Sequence, residues 1–267
     1  MVSITLGSHI AAESQFGLPD PGLTPESPLY FLDLWDERAR FFFARSDAGR
    51  LKRYQARVLE RLSESEALAG RGIAATQKAL ELYRADIPRL FAVAERTGDM
   101  LILKEVLQST IDYFDVLDHI SERTNFDKKQ FIPETKLFLV NQHLQSLQTF
   151  AKREPADALR IFGGALGNRM ERLREVAIDD ENNKEALEEY TAYLSETDRI
   201  IREWSKVEVE GLGPVAYLAV AMRGHEETLV GPVRERLSPT LEQELLLAVN
   251  GVRKLSGLEP LQKLPMN

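Results

Sequence analysis

The sequence predicts an all-α protein built from two tandem helical-hairpin repeats, about four helices each, packed into an elongated helical bundle. Three observations lead there. Apolar residues recur at three- and four-residue steps through nearly the whole chain, the spacing of one helix face. Prolines, glycines and short polar runs punctuate that pattern every twenty to twenty-five residues or so. And "TPESPLYFL" at 24–32 returns, little changed, as "IPETKLFLV" at 132–140.

The first helix is expected from about Pro25 to Ala44, with Thr24 as N-cap and Pro25 at the first helical position. Leu29, Leu32, Trp35 and Phe42 are expected among its buried positions. A second helix, about Asp47 to Ala69, carries Leu51, Tyr54, Val58, Leu62 and Ser65 on one face, and "GRG" at 70–72 stops it. A third, about Ala74 to Arg96, repeats the pattern with Leu80, Tyr83, Ile87, Leu90 and Ala94 and holds Pro88 inside it. The short connection between these two predicts an antiparallel hairpin. A fourth helix runs from about Met100 to Glu122, followed by the polar linker "RTNFDKKQF".

The plan then restarts. Helices are expected at about Ile132–Ala151, Pro155–Ala177, Lys184–Lys206 and Pro214–Val230. A last one should be opened by Ser238-Pro239 and end near Leu255, leaving "LEPLQKLPMN" as a frayed tail. The second pass follows the first at an offset of 108 residues, with small gaps. Pro25, Glu26, Leu29 and Tyr30 align with Pro133, Glu134, Leu137 and Phe138. "LERL" (59–62) aligns with "MERL" (170–173), "ALELY" (79–83) with "ALEEY" (186–190), and "ISER" (120–123) with "VRER" (233–236). Shared order and matched helix breaks read as a tandem duplication whose copies bury their apolar stripes together. The expected organisation is an N-terminal extension over 1–23, a first repeat over 24–130, and a second over 131–267 that includes the C-terminal helix.

Composition narrows the function classes. With 43% hydrophobic and 28% charged residues the chain has a foldable balance, and its apolar runs are too short to span a membrane. A formal charge of −8 gives no global attraction to nucleic acid or anionic lipid. The absence of cysteine removes disulfides, thiolate catalysis and thiolate metal sites. Residues 1–12, "MVSITLGSHIAA", read either as the tail of a trimmed signal peptide or as a disordered or tag-derived terminus.

The segment "GLPDPGLTPESPLYFLDLWDERARFFF", followed by a hairpin containing "RVLERLSESEALAGRG", resembles domain-of-unknown-function family 5667, a group of uncharacterised bacterial and archaeal helical proteins. The likeness rests on the Pro-rich "LPDPGLTP", the aromatic helix, and an Arg-Leu-x-Glu element that reads "RLSES" here, with its Glu at Glu64. "GPVAYLAVAMRGHEETL" resembles a helix often seen after that hairpin. It is clear over 17–96 and looser beyond. The resemblance implies export and no known activity, so it brings no functional residues with it.

Two constellations are read directly from the residues. Asp112, Asp115, His119 and Glu122 share a helix face, which could bind Zn, Mn or Fe. No Glu-x-x-His of the di-metal bundles accompanies them, so an ordinary solvated stripe is the preferred reading. Arg50, Arg53, Arg57 and Arg61 also share a face, with Arg38, Arg40, Arg45 and Lys52 nearby, which could grip an anionic polymer. The preferred reading is again a charged flank paired with Glu60, Glu64 or other acids. "RGHEE" (223–227) is not a zinc-protease motif, and "FGGALGN" (162–168) lacks phosphate-loop spacing and is read as allowing close helix approach. The cluster Tyr30, Phe31, Trp35, Phe41, Phe42 and Phe43 is too wide for one buried face, so part of it is a docking candidate.

The expectation is a non-catalytic, exported helical structural or protein-interaction module of the cell envelope. It has a protein partner, no cofactor, no transmembrane segment and no nucleic-acid role. The alternatives are a metal-binding helical bundle or metalloenzyme, and an anionic-polymer-binding protein acting through the Arg-rich face.

Overall fold

The computed structural model describes residues 16–42, 46–124, 131–175, 180–204 and 213–265. Among them the regular structure is entirely helical. In chain order the helices are α1 (Tyr30–Phe42), α2 (Asp47–Leu68), α3 (Ile73–Thr97), α4 (Met100–Arg123), α5 (Phe131–Ala151), α6 (Pro155–Glu175), α7 (Asp180–Trp204), α8 (Gly213–Thr228) and α9 (Glu242–Leu255). None of these is long and apolar enough to cross a membrane.

Most helix ends follow from local chemistry. Ser46 caps α2 by accepting the Gly49 N–H at 3.1 Å. Gly70 ends the α2 turn at φ +80° and Gly98 ends that of α3 at φ +71°, a region that favours glycine. Asp99 then opens α4, its Oδ1 accepting from the Leu101 N–H at 2.9 Å.

Three expectations are corrected. The first helix does not start at Pro25. Residues 25–29 form turns, closed by Ser27 N–H to Thr24 O (2.8 Å) and Tyr30 N–H to Ser27 O (3.0 Å), and α1 begins only at Tyr30. The second proline explains this: Pro28 has no N–H to give and pushes Ser27 out of helical geometry. "IPETKLFLV" has no such residue, and α5 is already helical at Phe131. At the other end, α8 stops at Thr228, short of Val230, and widens into a π-type turn over Leu229–Val233, where Pro232 interrupts the α ladder. The C-terminal tail is pinned, not frayed. Asn250 donates to the Leu261 carbonyl (3.0 Å) and accepts the Leu261 N–H (2.7 Å), and Leu264 is buried.

The chain divides into two compact units. The first takes the residues up to Arg96 together with Tyr113–Thr135, and the second takes Thr97–Asp112 together with the residues from Lys136 onward. The core of the first unit joins Val58 and Leu62 of α2, Leu80, Tyr83, Ile87 and Leu90 of α3, and Phe114 and Leu117 of α4, all essentially inaccessible. In the second, α6, α7, α8 and α9 pack together around Phe162, Leu166, Leu187, Tyr190, Met222 and Val249. Each such aliphatic side chain contributes roughly 1.5–3 kcal/mol by leaving water. α9 comes so near α7 that a Cβ on Gly251 would stand 2.9 Å from Leu194 Cδ1. The glycines of "FGGALGN" do not serve such an approach: a Cβ on Gly163 or Gly164 would meet its neighbour at an ordinary 3.7 Å.

Tyr83 is fully buried, and among the described residues its hydroxyl has no hydrogen-bond partner. A desolvated, unsatisfied hydroxyl costs stability that phenylalanine does not. Tyr83→Phe is therefore expected to raise the unfolding free energy by about 1 kcal/mol in urea denaturation. A loss of similar size would show that the hydroxyl is satisfied.

Candidate functional site

The sequence places charged and polar side chains in core registers of its helices, and among the described residues the structure gathers them into two buried clusters. In the first unit Arg61 and Glu64 lie one turn apart on α2 and are both fully buried. They form an ion pair and together grip the Tyr30 hydroxyl, which accepts from Arg61 Nη1 (2.8 Å) and donates to Glu64 Oε2 (3.0 Å). The guanidinium also stands 5.6 Å from the centroid of the Tyr30 ring. One turn earlier, Arg57 reaches the buried Asp86 of α3 at 2.9 Å, and Arg89 approaches the same carboxylate at 3.3 Å. Burial raises the Asp86 pKa, and the nearby arginines oppose that rise.

In the second unit Arg169 of α6 bonds Glu189 of α7 at 3.0 Å, and Lys136 of α5 reaches Glu189 at 3.2 Å and Glu185 at 2.8 Å. Arg169, Glu189 and Lys136 are all buried. Nearby, His143 of α5 spans α4 and α7. Its Nε2 lies 3.0 Å from the Leu107 carbonyl, and its Nδ1 lies 2.6 Å from the Tyr193 hydroxyl. A carbonyl only accepts, so Nε2 carries the proton and Nδ1 accepts from Tyr193. Burial drives the His143 pKa down to about 4, leaving a neutral ring. His225 of α8 is held similarly, 2.8 Å from the Tyr190 hydroxyl, with burial again lowering its pKa to about 4.

Among the described residues, Arg61 with Glu64 and Arg169 with Glu189 are buried and paired with one another. The cleft beside the α2–α3 turn, lined by Gly70, Arg71, Gly72, Ile73, Thr76 and Thr124, has about 260 Å3. That is below the ~300–1,000 Å3 usual for small-molecule sites, and Arg71 is the only ionisable group in its lining.

The residues singled out from sequence fall as follows. Asp112, Asp115 and Glu122 are exposed, while His119 is partly covered, 3.8 Å from Glu66 and edge-on to the Phe16 ring at 5.3 Å. Among the described residues no group of three or more His, Asp or Glu could hold a metal ion. The arginine row does not form one surface. Arg50 is exposed, Arg53 half-buried, Arg57 turned onto Asp86, and Arg61 fully interior. The side chains of Arg38 and Arg40, and residue Arg45, lie outside the described part. The expected burial of α1 is also corrected. Trp35 is 67% exposed, Phe31 56%, and Leu29 and Leu32 52% each, while Tyr30 is the buried residue among the described side chains of this helix. Those of Phe41 and Phe42, and residue Phe43, lie outside the described part.

The sequence reading passed over Lys136, His143, Arg169, Glu185, Glu189 and Tyr193. The signal was present: Lys136 and His143 fall at helical steps from Ile132, Val140 and Leu147, all buried. Charged residues are exposed so often that register alone does not mark them as interior. Comparison with protein-family models, curated proteins and solved structures finds no match to this chain.

Two predictions follow from the clusters. Removing one member of a buried ion pair strands the other charge, so Glu64→Ala should lower stability by about 3–5 kcal/mol. Replacing both, Arg61→Met with Glu64→Leu, should recover most of that loss in the same urea series. For His143, the folded-state pKa lies below the unfolded value of 6.5. Its contribution to stability is thus complete above pH 6.5 and is lost as pH falls from 6.5 toward 4, reaching about 3 kcal/mol at most. His143→Gln should flatten the stability profile in that window, and an unchanged slope would exclude the buried neutral imidazole as its source.

Proposed function

We propose that this chain is a duplicated helical module, exported and non-catalytic, that serves the cell envelope as a structural or protein-interaction element. The likeness of residues 17–96 to domain-of-unknown-function family 5667 belongs to this proposal. The observation that carries it is the exposed apolar face of α1, where Phe31, Leu32 and Trp35 stand in solvent. Aromatic and aliphatic side chains grouped on one exposed helix face mark protein-binding surfaces, and tryptophan is the residue most enriched at their energetic centres. The buried polar groups, by contrast, are spent on holding helices to one another.

Support for the duplication comes from matched lengths and matched interior residues. α2 and α3 have 22 and 25 residues, and α6 and α7 have 21 and 25. In the aligned "LERL" and "MERL", Leu62 and Leu173 are both buried. In the aligned "ALELY" and "ALEEY", Tyr83 and Tyr190 are likewise both buried.

The test is a photo-crosslinking amino acid at position 35, introduced into the chain in its native host, with fractionation of the cells. The proposal expects the chain in the envelope fraction and a defined protein adduct from position 35. Exposed position 78 on α3 serves as the control and should give none. A cytoplasmic chain with no adduct would overturn it.

A further inference from the structure

After α9 the chain turns at Gly257, whose φ is +72°, and residues 258–265 run back beside the helix they have just left. Among the described residues no backbone–backbone hydrogen bond reaches 259–265. Side chains of the folded body hold that backbone instead. Arg253 Nε donates to the Glu259 carbonyl at 2.6 Å, Asn250 exchanges two bonds with the main chain of Leu261, and Arg234 Nη1 donates to the Pro265 carbonyl. The two guanidiniums are themselves positioned, Arg253 by Glu226 and Arg234 by Glu242 at 3.1 Å.

The tail in turn has the properties of a bound peptide. Leu264 is 4% exposed and Leu261 is half-buried, while the other side chains from 258 to 265 are exposed. A piece of ordinary core would bury more of its side chains and tie its own backbone. Pro260 and Pro265 keep Glu259 and Leu264 extended and have no N–H to satisfy, so little chain entropy is lost when the segment seats. Donors aimed at the main chain give affinity whatever the sequence, and two leucines three positions apart supply the selectivity.

We propose that α9 together with Arg234 forms a binding groove for extended peptides of the pattern Pro-Leu-x-x-Leu-Pro, and that the chain's own tail, which carries this pattern at 260–265, occupies it in cis as an autoinhibitory ligand. A partner segment with the same two leucines and flanking prolines gains the groove by displacing the tail. The site is separate from the apolar face of α1, and the inference does not depend on that face.

Fluorescence anisotropy with a labelled peptide of residues 258–265, "LEPLQKLP", tests this on the full chain. Leu264→Glu releases the cis tail by charging its buried anchor and leaves Arg234, Asn250 and Arg253 intact. A short tether holds the cis tail at an effective concentration of about 1 mM. With a dissociation constant of about 10–100 µM for the released variant, the unmodified chain should bind the peptide about 10- to 100-fold more weakly. Adding Asn250→Ala to the released variant should weaken binding at least ~5-fold, since two hydrogen bonds are lost. A peptide carrying the Leu264→Glu change should not bind. The inference is overturned by a released variant that keeps its circular dichroism yet shows no saturable binding up to about 500 µM. Equal binding by the unmodified and released chains would overturn it too, because the tail would then not occupy the site, and so would an Asn250→Ala change without effect. If Leu264→Glu unfolds the chain, the isotope-labelled unmodified chain gives the answer. Its Leu261 amide, accepted by Asn250, should exchange faster in about 1 mM peptide, and unchanged exchange would overturn the inference.

Discussion

A guanidinium removed from water has to find its counter-charge within hydrogen-bonding reach, and among the described residues two are buried completely, Arg61 and Arg169. Each fixes the geometry of the helices around it. Arg61 uses a carboxylate on its own helix, Glu64, and the pair spends its remaining capacity on the Tyr30 hydroxyl of α1. Arg169 uses a carboxylate on the neighbouring helix, and Glu189 in turn draws in Lys136 from a third. Such pairs gain little net stability over a well-packed apolar core. The Arg169–Glu189–Lys136 set joins three helices, so a misplaced register among them would leave an unpaired charge and be heavily penalised, whereas Arg61 and Glu64 stay paired within α2.

Much of the fold was legible because helix propensity, apolar period and end signals agree over most of the chain. The bounds of α2 and α3 fall within one residue of those expected, since Ser46, Gly70 and Gly98 do what their chemistry suggests. The failures have equally local causes. In "TPESP" the first proline looked like a helix start, but the second governs the backbone. The tail was read as frayed because nothing in "LEPLQKLPMN" signals structure. Its anchor is the side chain of Asn250, eleven residues before its partner Leu261, and such a bond has no periodic trace.

The polar interior was less legible, for a different reason. A row of arginines at three- and four-residue steps looks like one charged flank, and α2 does hold Arg50 and Arg61 on nearly the same face, but what covers that face changes along the helix. Arg50 meets solvent, Arg57 meets Asp86, and Arg61 sits in the core. The spacing carries no sign of that change of cover, although Arg61 adjoins Leu62 and lies one turn after Val58, both buried. The opposite error was made on α1, where apolar residues were expected inside. Periodicity reports that a face wants covering; it cannot say whether the cover lies in the same chain.

The anchoring of α1 through Tyr30 bears on how the first unit comes apart. The described side chains of this helix bury one residue, and its phenol is held by two groups of α2. The Arg57–Asp86 pair joins α2 to α3 without α1. Among the described residues, detaching α1 breaks the Tyr30 bonds and leaves that pair in place, so amide exchange in α1 is expected to be faster than in α2 or α3.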